Sequence, residues 1–348
     1  MENKHQGILD GIDPEITDRL VSRREAISRG ASVSSMVATG LAMGSVPVML
    51  AALSRDVFGQ APSDILDALL FAHVLEHLEN EFYKAVLGTS AVTAQNTAFA
   101  PVRLLIPAPV RESLAQIQKH EQQHVDFLRT TAIPLFGGTA PNITANDFDF
   151  TGGNGSGTGP FARATTELDF LLLATQAFED TGVRAYKGQA GRFLIAGNNN
   201  ADIALESALR IHTVEARHAA KIRRIRRSRN TADTTLRFSG YVRGGSLAAA
   251  GAGNITNPPA EVVAALNLIY GGGTGPVSFN ESNTRHVVFD GTNAATIDAA
   301  TLTGIDVIGD AAARATAATQ AFDEALTKEE VIAIVRGFIK DDPARGLP

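Results

Sequence analysis

The chain has 348 residues, comfortable for two domains, and 44% of them are apolar, enough to bury a sizeable core. A net charge of −6 and a pI near 5.8 argue against a general nucleic-acid binder, whose footprint would be basic. The absence of cysteine excludes disulfides, thiolate metal sites, haem attachment and cysteine nucleophiles, so any metal must be held by nitrogen and oxygen.

Residues 1–61 read as an export signal and linker. Ser22-Arg23-Arg24-Glu25-Ala26-Ile27-Ser28 precedes an uncharged run, rich in Gly, Ala and Ser, from Ala31 to Leu53. Paired arginines before a modest apolar segment look like a twin-arginine signal, although Ala26 stands where an aromatic is usual. Gly59-Gln60-Ala61 is followed by Pro62, a poor residue after a cleavage point. The competing reading is an N-terminal helix that packs on the protein or anchors it. Pro47 and the many small residues argue against a stable membrane span. The expected location is outside the cytoplasm, periplasmic or extracellular, and the lack of cysteine fits an oxidising compartment.

Four segments then carry helical periodicity, over about 63–87, 109–130, 161–190 and 202–229. Ser63 suits the N-cap of the first, and Gly88 follows its end. Pro109 suits the first helical position of the second. The segment 137–160 between the second and third is rich in Gly, Thr and Asn, and long enough to cross the height of a bundle. The predicted fold is therefore an all-α core, a four-helix bundle over 62–230 with one long crossover. Residues 231–348 form a C-terminal extension of irregular structure, with short strands, apolar islands such as 262–266 and a final amphipathic helix over 322–339.

The seams of these helices carry the chemistry. In the second, Leu114, Ile117, Glu121, His124 and Leu128 alternate in steps of three and four and face one way. The fourth repeats this with Ala208, Ile211, Glu215, His218, Ile222 and Ile225. Both helices thus carry Glu-x-x-His where a bundle expects Leu or Ile. The first helix has Leu69, His73, Glu76, Asn80 and Tyr83 on its seam, and the third has Leu172, Gln176, Glu179, Val183 and Tyr186. Glu76 aligns with Glu179, Tyr83-Lys84 with Tyr186-Lys187 and Gly88 with Gly191, so the first helical pair reads as a duplicate of the second.

An unpaired carboxylate in a core costs several kcal/mol, and four together also repel. Two divalent cations would balance four glutamates, and two neutral imidazoles would complete the ligand set. One Glu from each of two helices plus Glu-x-x-His from each of the other two is the ligand pattern of dinuclear carboxylate bundles.

On these residues the chain resembles the ferritin-like superfamily. Within it, the chain looks like the ferritin-like domain family that includes plant desiccation-related proteins and many bacterial exported proteins. The supporting stretches are 75–83, Glu121-Gln122-Gln123-His124, 215–220 and the terminal Ala321-Phe322-Asp323-Glu324. The resemblance covers about 62–230 and implies metal ligands at Glu76, Glu121, His124, Glu179, Glu215 and His218. The Gly/Asn-rich extension departs from storage ferritins and speaks against a mineral-storing cage.

Neighbouring residues admit more than one role. Glu79 is a further ligand, a proton relay or a surface residue, and Glu81 points away and is expected to be solvated. His73 is expected to hydrogen-bond a ligand. His77, His120 and His212 flank the seam as polar-face residues or supports for the ligands. Tyr83 and Tyr186, the candidate catalytic residues, could bond the ligand carboxylates, relay electrons or simply fill the core. The cationic run 221–229 suits the helix C-terminus and pairing with acidic groups rather than nucleic acid or lipid.

Two iron or two manganese ions fit such ligands, with dioxygen or peroxide as the small oxidant partner. The competing function is a structural or stress-protection protein whose metal serves folding. A homo-oligomer is left open.

Overall fold

A computed structural model describes residues 62–193, 198–229, 260–270, 285–289, 294–298, 323 and 325–341. The expected export signal and linker, 1–61, lie outside the described residues. Four long helices form the body: α1 (Pro62–Leu87), α2 (Ala108–Phe127), α3 (Leu168–Gln189) and α4 (Asn199–Arg229). Two short helical turns, Thr93–Ala98 and Ala100–Arg103, link α1 to α2.

Side-chain pairs fix the directions. Glu76 meets His124 while Asn80 meets Gln122, so α1 and α2 are antiparallel. Gln176 meets Arg226 and His212 meets the Val183 carbonyl, so α3 and α4 are antiparallel. Tyr83 reaches Glu179 and Tyr186 reaches Glu76, so α1 also opposes α3. It follows that α2 and α3 run the same way, and the connection between them crosses the bundle from end to end. This is the expected ferritin-like arrangement, an all-α core with a long crossover.

Helix ends follow local chemistry. Gly88, at φ +85°, closes α1: its N–H bonds the Ala85 carbonyl at 3.2 Å, and the Thr89 N–H bonds that of Lys84 at 2.8 Å. The helical path of α2 continues past the expected end through a π-turn, Leu128–Ala132, and on to Leu135. The widened turn falls just before Pro134, whose ring has no N–H to donate. The third helix starts later than expected, at Leu168. Residues Ala162–Thr165 form a separate 3-10 turn and Glu167 is extended at φ −120°, ψ 119°. The fourth starts earlier, because the Asn198 side chain accepts from the N–H groups of Asn200 and Ala201 at 3.1 Å.

The extension contains α5 (Ala260–Tyr270), the antiparallel pair β1 (Arg285–Phe289) and β2 (Ala294–Asp298), and α6 (Lys328–Val335). Residues 262–266, expected as an apolar island, lie within α5. The final helix is shorter than the predicted 322–339. Thr327 caps it, accepting from the Glu330 N–H while the Glu330 carboxylate accepts from the Thr327 N–H, and a 3-10 turn, Arg336–Phe338, ends it. Ile339 then pairs with Phe148 of the crossover.

The apolar core divides into two clusters. One, with Ile65, Leu69, Leu128, Tyr186 and Ile211, fills the end where α1 and α4 begin. The other, with Leu78, Phe82, Leu114, Phe178 and Ile222, fills the opposite end and includes Leu266 and Val331 of the extension. Between them lies a layer of acids and histidines. Among the described residues, no helix is long and apolar enough to cross a membrane.

Candidate metal centre

All six expected ligands meet in that layer. Glu121, Glu179 and Glu215 are 0% exposed and Glu76 1%, with His124 and His218 also buried. Their donor atoms form two quartets, each of which could hold a metal ion: Glu76, Glu121, His124 and Glu215, and Glu121, Glu179, Glu215 and His218. Glu121 and Glu215 belong to both. These are the two glutamates of the Glu-x-x-His repeats, and the three-residue step puts each on the same helix face as its histidine.

His124 Nδ1 lies 3.0 Å from Glu76 Oε2, 3.2 Å from Glu215 Oε1 and 3.3 Å from Glu121 Oε2. His218 Nδ1 lies 2.9 Å from Glu121 Oε1, 3.2 Å from Glu179 Oε2 and 3.9 Å from Glu215 Oε2. Several of these contacts are close but out of line: Glu121 Oε1, Glu179 Oε2, both Glu215 oxygens and His218 Nδ1 have no aligned hydrogen-bond partner. Buried lone pairs left in this way are costly unless a cation takes them. The donor set, four carboxylates and two imidazoles turned inward, fits metal ions.

Electrostatics agree. Burial pushes the Glu121 carboxyl up to about 7, against the opposing pull of His124 and His218 beside it. Burial and the charges on Glu121 and Glu76 drive Glu215 well above the carboxylate range. Burial also disfavours charge on Glu76, but His124 beside it holds that carboxyl below its usual value. For His218, burial opposes the proton, yet Glu179, Glu121 and Glu215 raise it to about 11. His124 is raised in the same way, burial being outweighed by Glu76, Glu121 and Glu215. With protein groups alone, the histidines are the counter-ions of the acids.

Tyr83 and Tyr186 donate to Glu179 Oε1 and Glu76 Oε1, each across the bundle from the other helix. Burial, reinforced by the adjacent carboxylates, raises both hydroxyls well above the ordinary tyrosine value, so they stay neutral donors. Their hydrogen bonds leave Oε2 of each glutamate on the inner side, facing a histidine.

Glu79 is not a surface residue: it is 5% exposed. A Cβ on Gly182 would come within 3.2 Å of both Glu79 Oε1 and Glu215 Oε2. Glycine there, at the position in α3 that matches Glu79, makes room for the additional acid. Burial and then the charge on Glu215 raise Glu79 well above its ordinary value.

Two expectations are corrected. Glu81 is buried rather than solvated, and it accepts from Lys84 at 2.7 Å. His73 hydrogen-bonds no ligand among the described residues. It packs edge-on to His77 with centroids 4.5 Å apart, and burial lowers it to about 4. In the cationic run Arg223 and Arg226 are buried, with Arg223 2.6 Å from Asp180. The expected pairing with acids holds, and Arg229 adds a 2.8 Å bond to Asp169.

His120 does support a ligand, its Nδ1 lying 2.9 Å from His218 Nε2. His212 instead bonds the Val183 carbonyl at 3.0 Å. Gly182 and Asp180 had drawn no attention in the sequence. Alignment of the two helical pairs could have found Gly182, since it faces Glu79 across the repeat.

A comparison with curated proteins and one with solved structures found no match. A family model described as a ferritin-like domain matches residues 64–228, the span of the four helices and the whole acid–histidine layer. Over this span the chain is similar to ferritin-like domains, as its acid–histidine seams led one to expect.

Proposed function

We propose that the chain binds two divalent transition-metal ions, iron or manganese, and uses them on a small oxidant, dioxygen or peroxide. The observation that carries this reading is the sharing of Glu121 and Glu215 between two buried quartets, with lone pairs that no hydrogen bond satisfies. Two divalent charges balance four glutamates once both imidazoles are neutral. When bound, the ions would supply Lewis-acid and redox chemistry toward the oxidant; carboxylate-rich donors suit both metals. The protein's part is to hold Glu76 and Glu179 in place through Tyr186 and Tyr83, to orient His218 through His120, and to keep bulk water out of the layer. Tyr83 and Tyr186 touch ligands directly, so an electron relay through either ring would begin at a ligand carboxylate. Work outside the cytoplasm is supported by the paired arginines and the uncharged run behind them, and a part in oxidative or desiccation stress by the resemblance to exported ferritin-like proteins.

Metal analysis of the purified protein tests this. The expected content is close to two ions per chain. Glu121→Ala is expected to empty both quartets with helical content retained, and Glu76→Ala to affect one. Protein that is metal-free and takes up neither iron nor manganese would falsify the reading. Loaded protein that turns over neither oxidant favours the structural alternative, in which metal serves folding.

A further inference from the structure

The end of the bundle where α1 and α4 begin holds a cavity of about 20 Å³. Roughly 10–15 Å³ admits one water-sized molecule, so a diatomic molecule fits and a long organic substrate does not. All four helical paths line it: Leu69 and Leu75 of α1, Leu128 just past α2, Tyr186 of α3, and Ala208 and Ile211 of α4. Tyr186 belongs to both spaces, since it walls the cavity and its hydroxyl donates to Glu76. On the outer side, the lining residues Ala72, Phe127 and Ser207 are partly exposed.

The lining selects for an apolar occupant. The Tyr186 hydroxyl is already committed to Glu76. Gln189 contributes a buried Oε1 with no hydrogen-bond partner, which is one acceptor. A trapped water needs two to four polar partners, and hydrogen peroxide, with two O–H donors, would lose most of its hydrogen bonds on entry. Dioxygen loses none.

We propose that this cavity is a holding site for dioxygen, entered past the Ala72–Ser207 rim and separated from the metal centre by Tyr186. The inference rests on the acid–histidine layer being a metal centre, and it names dioxygen rather than peroxide as the oxidant that reaches the layer from this end.

Xenon, an apolar probe of similar size, tests the cavity without reference to metal. The full chain is examined under xenon pressure by crystallography or xenon NMR, beside Ala208→Leu, which fills the space. Ala72→Val at the rim is the milder second variant if Ala208→Leu fails to fold. The iron-loaded proteins are then oxidised separately by dioxygen and by hydrogen peroxide, each ferrous ion giving one electron to the oxidant. The expected result is xenon in the native cavity, none in the filled variant, and a several-fold slowing with dioxygen relative to peroxide at unchanged iron content. No xenon in the native cavity beside a loaded centre overturns the cavity alone. So does equal slowing with both oxidants. A chain that takes xenon but no metal overturns the metal reading, and the dioxygen role with it.

Discussion

On the proposed metal reading, protons and metal ions would compete for the same lone pairs at His124 Nδ1 and His218 Nδ1. Both histidines hold a proton more tightly than a free imidazole, His218 up to about 11, and Glu121 is raised to about 7. At neutral pH, metal uptake must therefore expel those protons, on the order of one per histidine. Apparent affinity is expected to rise with pH through neutrality and to fall on acidification. Calorimetric titration with manganese in two buffers of different ionisation enthalpy measures the release directly. Uptake with no proton release would contradict the assignment of the histidines as ligands. The same competition explains why Tyr83 and Tyr186 donate from outside the layer: a neutral phenol can satisfy one carboxylate oxygen without adding charge that the ions would have to displace.

Helices pack through more than the metal layer, and the extension is fastened to α3 by a buried polar link. The Tyr270 hydroxyl donates to Asp180 at 2.6 Å, Arg223 pairs with the same carboxylate at 2.6 Å, and Arg184 donates to the Ile269 carbonyl. Burial raises Asp180 against the Arg223 charge, so loss of the phenol removes one of its few compensations. Tyr270→Phe is expected to cost about 1–3 kcal/mol, the range for a buried acceptor losing its donor. A lowered denaturant midpoint with unchanged metal content would show it, and an unchanged midpoint would mean that the hydroxyl is dispensable. None of this was readable beforehand: Asp180 lies beside the seam in sequence, and its partner is some ninety residues away. The seam itself was legible, because Glu and His at core spacing break an otherwise apolar stripe twice in register. Helix boundaries were less so. Pro134 sits inside a path that widens to meet it, and the Asn198 cap looks like any other asparagine in an Asn-rich stretch.

At the scale of the molecule, export and architecture make separate claims. A folded reporter fused behind residues 1–61 is expected to leave the cytoplasm, and Arg23→Lys with Arg24→Lys to hold it back. A native fusion that stays inside would remove the case for an extracytoplasmic role. The architecture bears on order of assembly. Ile339 pairs with Phe148, and the Asp149 N–H bonds the Phe338 carbonyl at 2.8 Å, so the crossover is buttoned down by backbone made long after it. During synthesis the four bundle helices are complete by Arg229, while the crossover waits for chain that has yet to leave the ribosome. Closing that contact late joins segments far apart in sequence, a slow kind of step in folding. Until that late chain emerges, the crossover edge of a formed bundle is bare, and proteases and chaperones can reach it.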